Sequence, residues 1–133
     1  MPPHAPACHA SGQGQGVGVG VEVESIEGCE LIVQNGLYRG ERASLTTTGS
    51  LTVGRGDEVH LCLESADYVS WEHLLFEFTA RKGRKAASLR VQDLGSTNGS
   101  QVNGVTLSAN IFKAVKSGDQ VTAGDTVIKV RFD

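Results

Sequence analysis

Turn chemistry punctuates this chain at eight places, most of them 6 to 14 residues apart, and only short strands fit between most of the breaks. The breaks are NG at 35–36, TGS at 48–50, GRGD at 54–57, KGRK at 82–85, STNG at 96–99, NG at 103–104, SGD at 117–119 and GD at 124–125. Around them stand runs of five to seven residues: VEVES, ELIVQ, RASLT, SLTVG, VHLCL, HLLFEF, SLRVQDL, QVTAG and TVIKVRF. Two of these alternate plainly. Leu74, Phe76 and Phe78 share one side of HLLFEF, and Ile128, Val130 and Phe132 share one side of TVIKVRF with Lys129 and Arg131 opposite. No stretch holds a 3.6-residue period. The pattern predicts an all-β protein, an antiparallel sandwich or barrel with little helix.

A length of 133 residues predicts one domain with a short tail. Residues 1–19 (MPPHAPACHASGQGQGVGV) are rich in Pro and Gly and nearly uncharged, and they read as a disordered, flexible leader or linker before a domain at 20–133. Their glycines never form G-x-G-x-x-G, so no dinucleotide site is expected. A net charge of −3 argues against a chain-wide nucleic-acid or membrane surface. No apolar run approaches the roughly 18 residues of a membrane span, and no signal-peptide pattern opens the chain. Three cysteines, Cys8, Cys29 and Cys62, without metal-ligand spacing favour a reducing, intracellular setting, cytoplasm or nucleus. His4, Cys8 and His9 lack a second ligand pair, so neither a metal nor another cofactor is expected.

The most informative stretch is Asp93 to Gly104, DLGSTNGSQVNG, which follows an alternating run. If HLLFEF and SLRVQDL form a hairpin, Ser70, before the first strand, and Thr97 and Asn98, after the second, become neighbours at one edge. The basic tip (Arg81, Lys82, Arg84, Lys85) then lies at the other end, roughly 20 Å away for a six-residue strand. Arg55, in GRGD, follows SLTVG at another strand end. A guanidinium fork, a hydroxyl and a turn rich in N–H groups together suit an anion such as phosphate.

These residues in order, G-R at 54–55, S-x-x-H at 70–73, D-L-G-S-T-N-G-S-x-V-N-G at 93–104 and G-D-x-V-x-x-G at 118–124, resemble the forkhead-associated (FHA) domain over about residues 30–133. The resemblance implies a sandwich of about eleven strands, FHA/SMAD-like, that binds threonine-phosphorylated peptides or proteins in signalling through loops at one edge. It implies that Arg55 and Ser70 grip the phosphate, that Thr97 holds the phosphate or its loop, and that Asn98 bonds the peptide backbone. Gly54, His73, Gly99, Asn103 and Gly104 fall at loop-shaping positions. Trp71 stands where the family often carries Arg or Asn, and its ring could take an apolar or basic peptide side chain. Preference for phosphothreonine over phosphoserine would rest on one methyl group, roughly 0.8 kcal/mol.

The alternative reading is an FHA scaffold for phosphate-independent protein assembly, supported by Trp71 and Glu72. Enzymatic activity is not expected. Ser70 and His73, three residues apart with no third member, make a poor nucleophile and base. The Asn98-Gly99-Ser100 sequon has no role in a reducing compartment. The basic tip reads as solvated, nucleic acid is not an expected partner, and the module is expected to be monomeric.

Overall fold

The computed structural model describes residues 28–132. The leader at 1–19, the VEVES run, Cys8 and the two N-terminal histidines lie outside the described residues. Eleven strands make two packed sheets. The first contains β1 (Cys29–Val33), β2 (Arg42–Leu45), β7 (Ser100–Val102), β8 (Val105–Thr106), β10 (Gln120–Ala123) and β11 (Thr126–Phe132), in the order β2-β1-β11-β10-β7-β8. The second contains β3 (Gly49–Gly54), β4 (Leu61–Cys62), β5 (Leu74–Thr79), β6 (Ser88–Asp93) and β9 (Lys113–Val115), in the order β4-β3-β5-β6-β9.

The alternation seen in sequence is the alternation of burial. Leu74, Phe76 and Phe78 of β5 point into the core, as do Leu31 and Val33 of β1, Leu89 and Val91 of β6, and Ile128 and Val130 of β11. Phe132 closes one end, its ring edge-on to Phe78 at 6.2 Å between centroids. Phe76 is fully buried at the middle of its strand, so its truncation to alanine would cost about 3–5 kcal/mol in lost packing and residual cavity.

Register decides what lies at each pole. The β5–β6 hairpin pairs Leu74 with Asp93 at one end and Thr79 with Ser88 at the other. The segments that lead into β5 and out of β6 therefore share an edge, and the basic tip, closed by a Lys82–Lys85 bridge, sits at the opposite pole. In the other sheet β1 runs antiparallel to β11, with Cys29 opposite Phe132 at the pole away from that edge.

One pair breaks the antiparallel rule. β4 lies parallel to β3, Val53 opposite Leu61 and Gly54 opposite Cys62. To start β4 level with Val53 the chain must travel back, so residues 55–60 arch out from the sheet with Arg55 at their base. Buried Val59 anchors the arch, and the His60 N–H donates to the Thr52 carbonyl at 3.0 Å.

The β7–β8 turn is made by Asn103 (φ 50°) and Gly104 (φ 86°), the two successive positive φ angles of a type I′ hairpin. Its open surroundings leave nothing within 4 Å of a Cβ at Gly104. Gly104→Ala is therefore a test of backbone conformation alone. It is expected to lower stability by about 1–2 kcal/mol in urea denaturation, the cost of a left-handed alanine, while far-UV circular dichroism holds.

Candidate functional site

Three connections meet at the edge: residues 55–60 after β3, residues 63–73 before β5, and residues 94–99 after β6. The first two are laced by backbone. The Arg55 N–H donates to the Ser70 carbonyl at 3.0 Å, the Gly56 N–H to the Trp71 carbonyl at 3.0 Å, and the His73 N–H to the Val53 carbonyl at 2.8 Å. The contact is close because Gly54 is a glycine. A Cβ there would stand 2.1 Å from the Trp71 carbonyl oxygen.

The third connection joins through side chains. The Thr97 N–H donates to Ser70 Oγ at 3.0 Å, and Asn98 Nδ2 donates to the Tyr68 carbonyl at 3.1 Å. With Oγ accepting from Thr97, the Ser70 hydroxyl keeps its own proton for another acceptor. The Asn98 Oδ1 also stays available. No carboxylate among the described residues forms an ion pair with the guanidinium of Arg55, a partly buried residue. The edge thus gathers a free cation, a hydroxyl donor and an exposed amide.

Beneath it lies His73, fully buried. The Ser70 N–H donates to its Nδ1 at 2.9 Å, which makes Nδ1 the bare nitrogen; Nε2–H then donates to the Gly99 carbonyl at 2.9 Å. One neutral ring therefore spans two of the three connections, while its backbone carbonyl accepts from Leu94 N–H at 2.9 Å. Burial lowers its pKa from 6.5, against the opposing pull of the Gly99 carbonyl and the Asp93 carboxylate.

Asp93, buried at the end of β6, organises the third connection from inside. Its Oδ1 accepts the N–H groups of Gly95 and Ser96 at 2.8 and 2.7 Å, and its Oδ2 accepts the hydroxyls of Ser96 and Ser100. Burial alone would raise its pKa, but the Ser100 and Ser96 hydroxyls and the two N–H groups outweigh it, and the pKa falls below 3.8. Sequence reasoning passed over Asp93, Ser96 and Ser100 in favour of Thr97 and Asn98. The signal was present: an Asp two and three residues before a Gly and a Ser is the Asx-turn arrangement.

Trp71 is 59% exposed and lies on the arch beside Arg55. Its Nε1 is only 2.6 Å from where a Gly56 Cβ would be, so the indole occupies space that glycine leaves open. Glu72 points to solvent. Gly99 (φ 82°) turns the third connection with open space around it. Asn103 and Gly104 belong to the neighbouring β7–β8 hairpin, where Asn103 Oδ1 accepts the Gln120 N–H at 2.9 Å. Among the described residues no three His, Cys, Asp or Glu side chains cluster as a metal site, and no helix is long and apolar enough to cross a membrane. Burial, with Glu30 adding, pushes the Cys29 thiol up to about 12, leaving it unreactive at neutral pH.

The FHA domain family model matches residues 51–124, and the chain belongs to that family. The FHA domain-containing protein FhaB of Mycolicibacterium smegmatis is 36% identical over 104 residues, 77% of this chain and 59% of that protein. The chain thus spans about three fifths of the length of the curated relatives it matches. A solved FHA domain from work on phosphothreonine-dependent FHA interactions is 28% identical with a TM-score of 0.61, over 80% of this chain and 97% of that one. The N-terminal FHA domain of S. cerevisiae Rad53p, in complex with a phosphothreonine peptide, shares the fold with a TM-score of 0.64 at 20% identity, over 80% of this chain and 94% of that one.

Two measurements test this construction. A histidine with a lowered folded pKa takes up its proton more readily unfolded, so stability is full above pH 6.5 and declines as pH falls below it toward the folded value. Asp93 adds a second decline beginning below pH 3.8. Urea midpoints followed against pH should show the first decline in the parent and lose it in His73→Gln. Gly56→Ala must displace the indole, and since Trp71 is the only tryptophan, its emission spectrum should shift while far-UV circular dichroism holds.

Proposed function

We infer that this domain recognises threonine-phosphorylated peptides or proteins and serves as a signalling module. The observation that carries the reading is Arg55, whose backbone is bonded to that of Ser70 and whose guanidinium forms no ion pair among the described residues, together with the Ser70 hydroxyl, which accepts the Thr97 N–H and has its own proton still to donate. A phosphate dianion has the acceptors that such an edge lacks. Arg55 and Ser70 hold the phosphate, Thr97 fixes the loop, and Asn98 bonds the peptide backbone through Oδ1. The likeness to an FHA domain with phosphothreonine-dependent interactions, at 28% identity, supports the same reading. Gly54, His73 and Gly99 act by holding the loops in place.

The chemistry needed is binding alone, and no step makes or breaks a covalent bond. A charge-assisted bond from arginine contributes on the order of 1.5–3 kcal/mol. Glu72 opposes the phosphate, but at an exposed edge salt screens that repulsion. Attraction dominates.

A second reading, phosphate-independent assembly, is favoured by the exposed Trp71 ring held on the arch. Calorimetric titration separates the two. Phosphothreonine peptides should bind with Kd values in the micromolar range, their unphosphorylated counterparts at least tenfold more weakly, and Arg55→Ala should lose roughly 10- to 150-fold. Equal binding of both forms by parent and variant would establish the second reading instead.

A further inference from the structure

The β5–β6 hairpin tip, at the pole away from the recognition edge, carries positive charge that no described side chain answers. Lys82 and Lys85 face each other across its bridge, each backbone N–H bonded to the opposite carbonyl at 3.0 and 2.9 Å, with Arg81 and Arg84 beside them. Like charges directly opposite in a ladder repel. All four residues are exposed, and none forms an ion pair among the described residues. Carboxylates in the strands and turns that reach this pole are engaged elsewhere: Glu30 with Arg42 and Arg131, Glu77 with Arg90, and Asp119 with the Lys116 N–H.

The same pole receives the chain at Gly28. A Cβ on that residue (φ 97°) would stand 1.9 Å from the Leu45 carbonyl oxygen and 2.6 Å from Thr46 Cα, so the backbone enters β1 flush against the end of β2. Two residues beyond Thr46, Thr48 Oγ1 accepts the Ala80 N–H at 2.9 Å, and Ala80 adjoins Arg81. Two residues of chain span at most about 7 Å, which puts Gly28 within about 17 Å of the foot of the tip. Immediately before Gly28 the sequence reads VEVESIE, residues 21–27, with Glu22, Glu24 and Glu27 and no cation. Glu22, six residues from Gly28, can reach about 20 Å in extended chain.

We propose that the acidic segment 21–27 docks on the basic tip of its own chain, with Glu22, Glu24 and Glu27 paired to Arg81, Lys82, Arg84 and Lys85. Tethering favours this occupant over an external one, because so short a connection holds the carboxylates at an effective concentration in the millimolar range. Each exposed pair is weak, but three pairs that each favour contact about twofold multiply to a roughly eightfold bias. Docking neutralises a surface that would otherwise draw polyanions. It involves neither Arg55 nor Ser70, so it stands apart from the phosphothreonine reading.

Nuclear magnetic resonance on the full chain tests it, with the Gly83 amide reporting on the tip and backbone heteronuclear NOE values reporting on residues 22–27. The isosteric variant Glu22→Gln/Glu24→Gln/Glu27→Gln should move the Gly83 resonance and lower the NOE values of the segment. Raising salt to about 1 M, where the screening length is about 3 Å, should do the same to the parent and little to the variant. Exchanging the charges, Glu22→Lys/Glu24→Lys/Glu27→Lys with Arg81→Glu/Lys82→Glu/Arg84→Glu/Lys85→Glu, should restore the NOE values that either half alone abolishes. Gly83 shifts and NOE values common to the parent and the Gln variant overturn the proposal. So does a Gly83 shift that follows protein concentration, which assigns the tip to a second copy. A Gly83 resonance indifferent to the Gln substitutions that moves on adding anionic lipid vesicles or a duplex oligonucleotide also overturns it, and leaves the tip to an external polyanion.

Discussion

The recognition edge depends on one buried imidazole. With Ser70 N–H on its Nδ1 and Gly99 carbonyl on its Nε2–H, the His73 ring joins the connection before β5 to the connection after β6, and nothing larger than a side chain is needed to do so. A neutral ring suits this work better than a charged one, because the Ser70 N–H has no acceptor once Nδ1 carries a proton. An unpaired buried donor costs about 1–3 kcal/mol. Burial keeps the ring in its neutral form, so the same desolvation that penalises charge preserves the geometry.

Around that ring the loops are fixed by short bonds to backbone. Asp93 collects four donors, and the backbone of 54–56 lies against 70–72 at glycine-only distances. A ligand arriving at such an edge finds donors already placed, and little conformational entropy remains to be lost on binding. Partly buried Arg55 and exposed Thr97 and Asn98 stand on a scaffold whose own polar needs are met below them.

Much of this could be read from the sequence, for identifiable reasons. β5 and β11 alternate over enough residues to show a period, and the hairpin that brings Ser70 to Thr97 follows from β5 and the run SLRVQDL after its turn. β7, β8 and β9 are two or three residues long and carry no period; β8 is exposed on both residues, so it shows no burial signal at all. The parallel β3–β4 pair escaped notice because direction leaves no mark in two residues. At the site, Arg55, Ser70, His73, Thr97 and Asn98 were legible as motif residues. Asp93 was not singled out, since its work is internal to the loop.

The β1–β11 pairing has a mechanical consequence. Cys29 and Phe132 face each other at the pole far from the ligand edge, and the ladder runs from that pair inward to Val33 and Ile128. Tension applied through both ends would unzip those rungs singly, starting at the outermost, instead of shearing the ladder as a whole. Such a yielding point lies a full strand length from Arg55, so the loop cluster around that residue would outlast the first rungs lost.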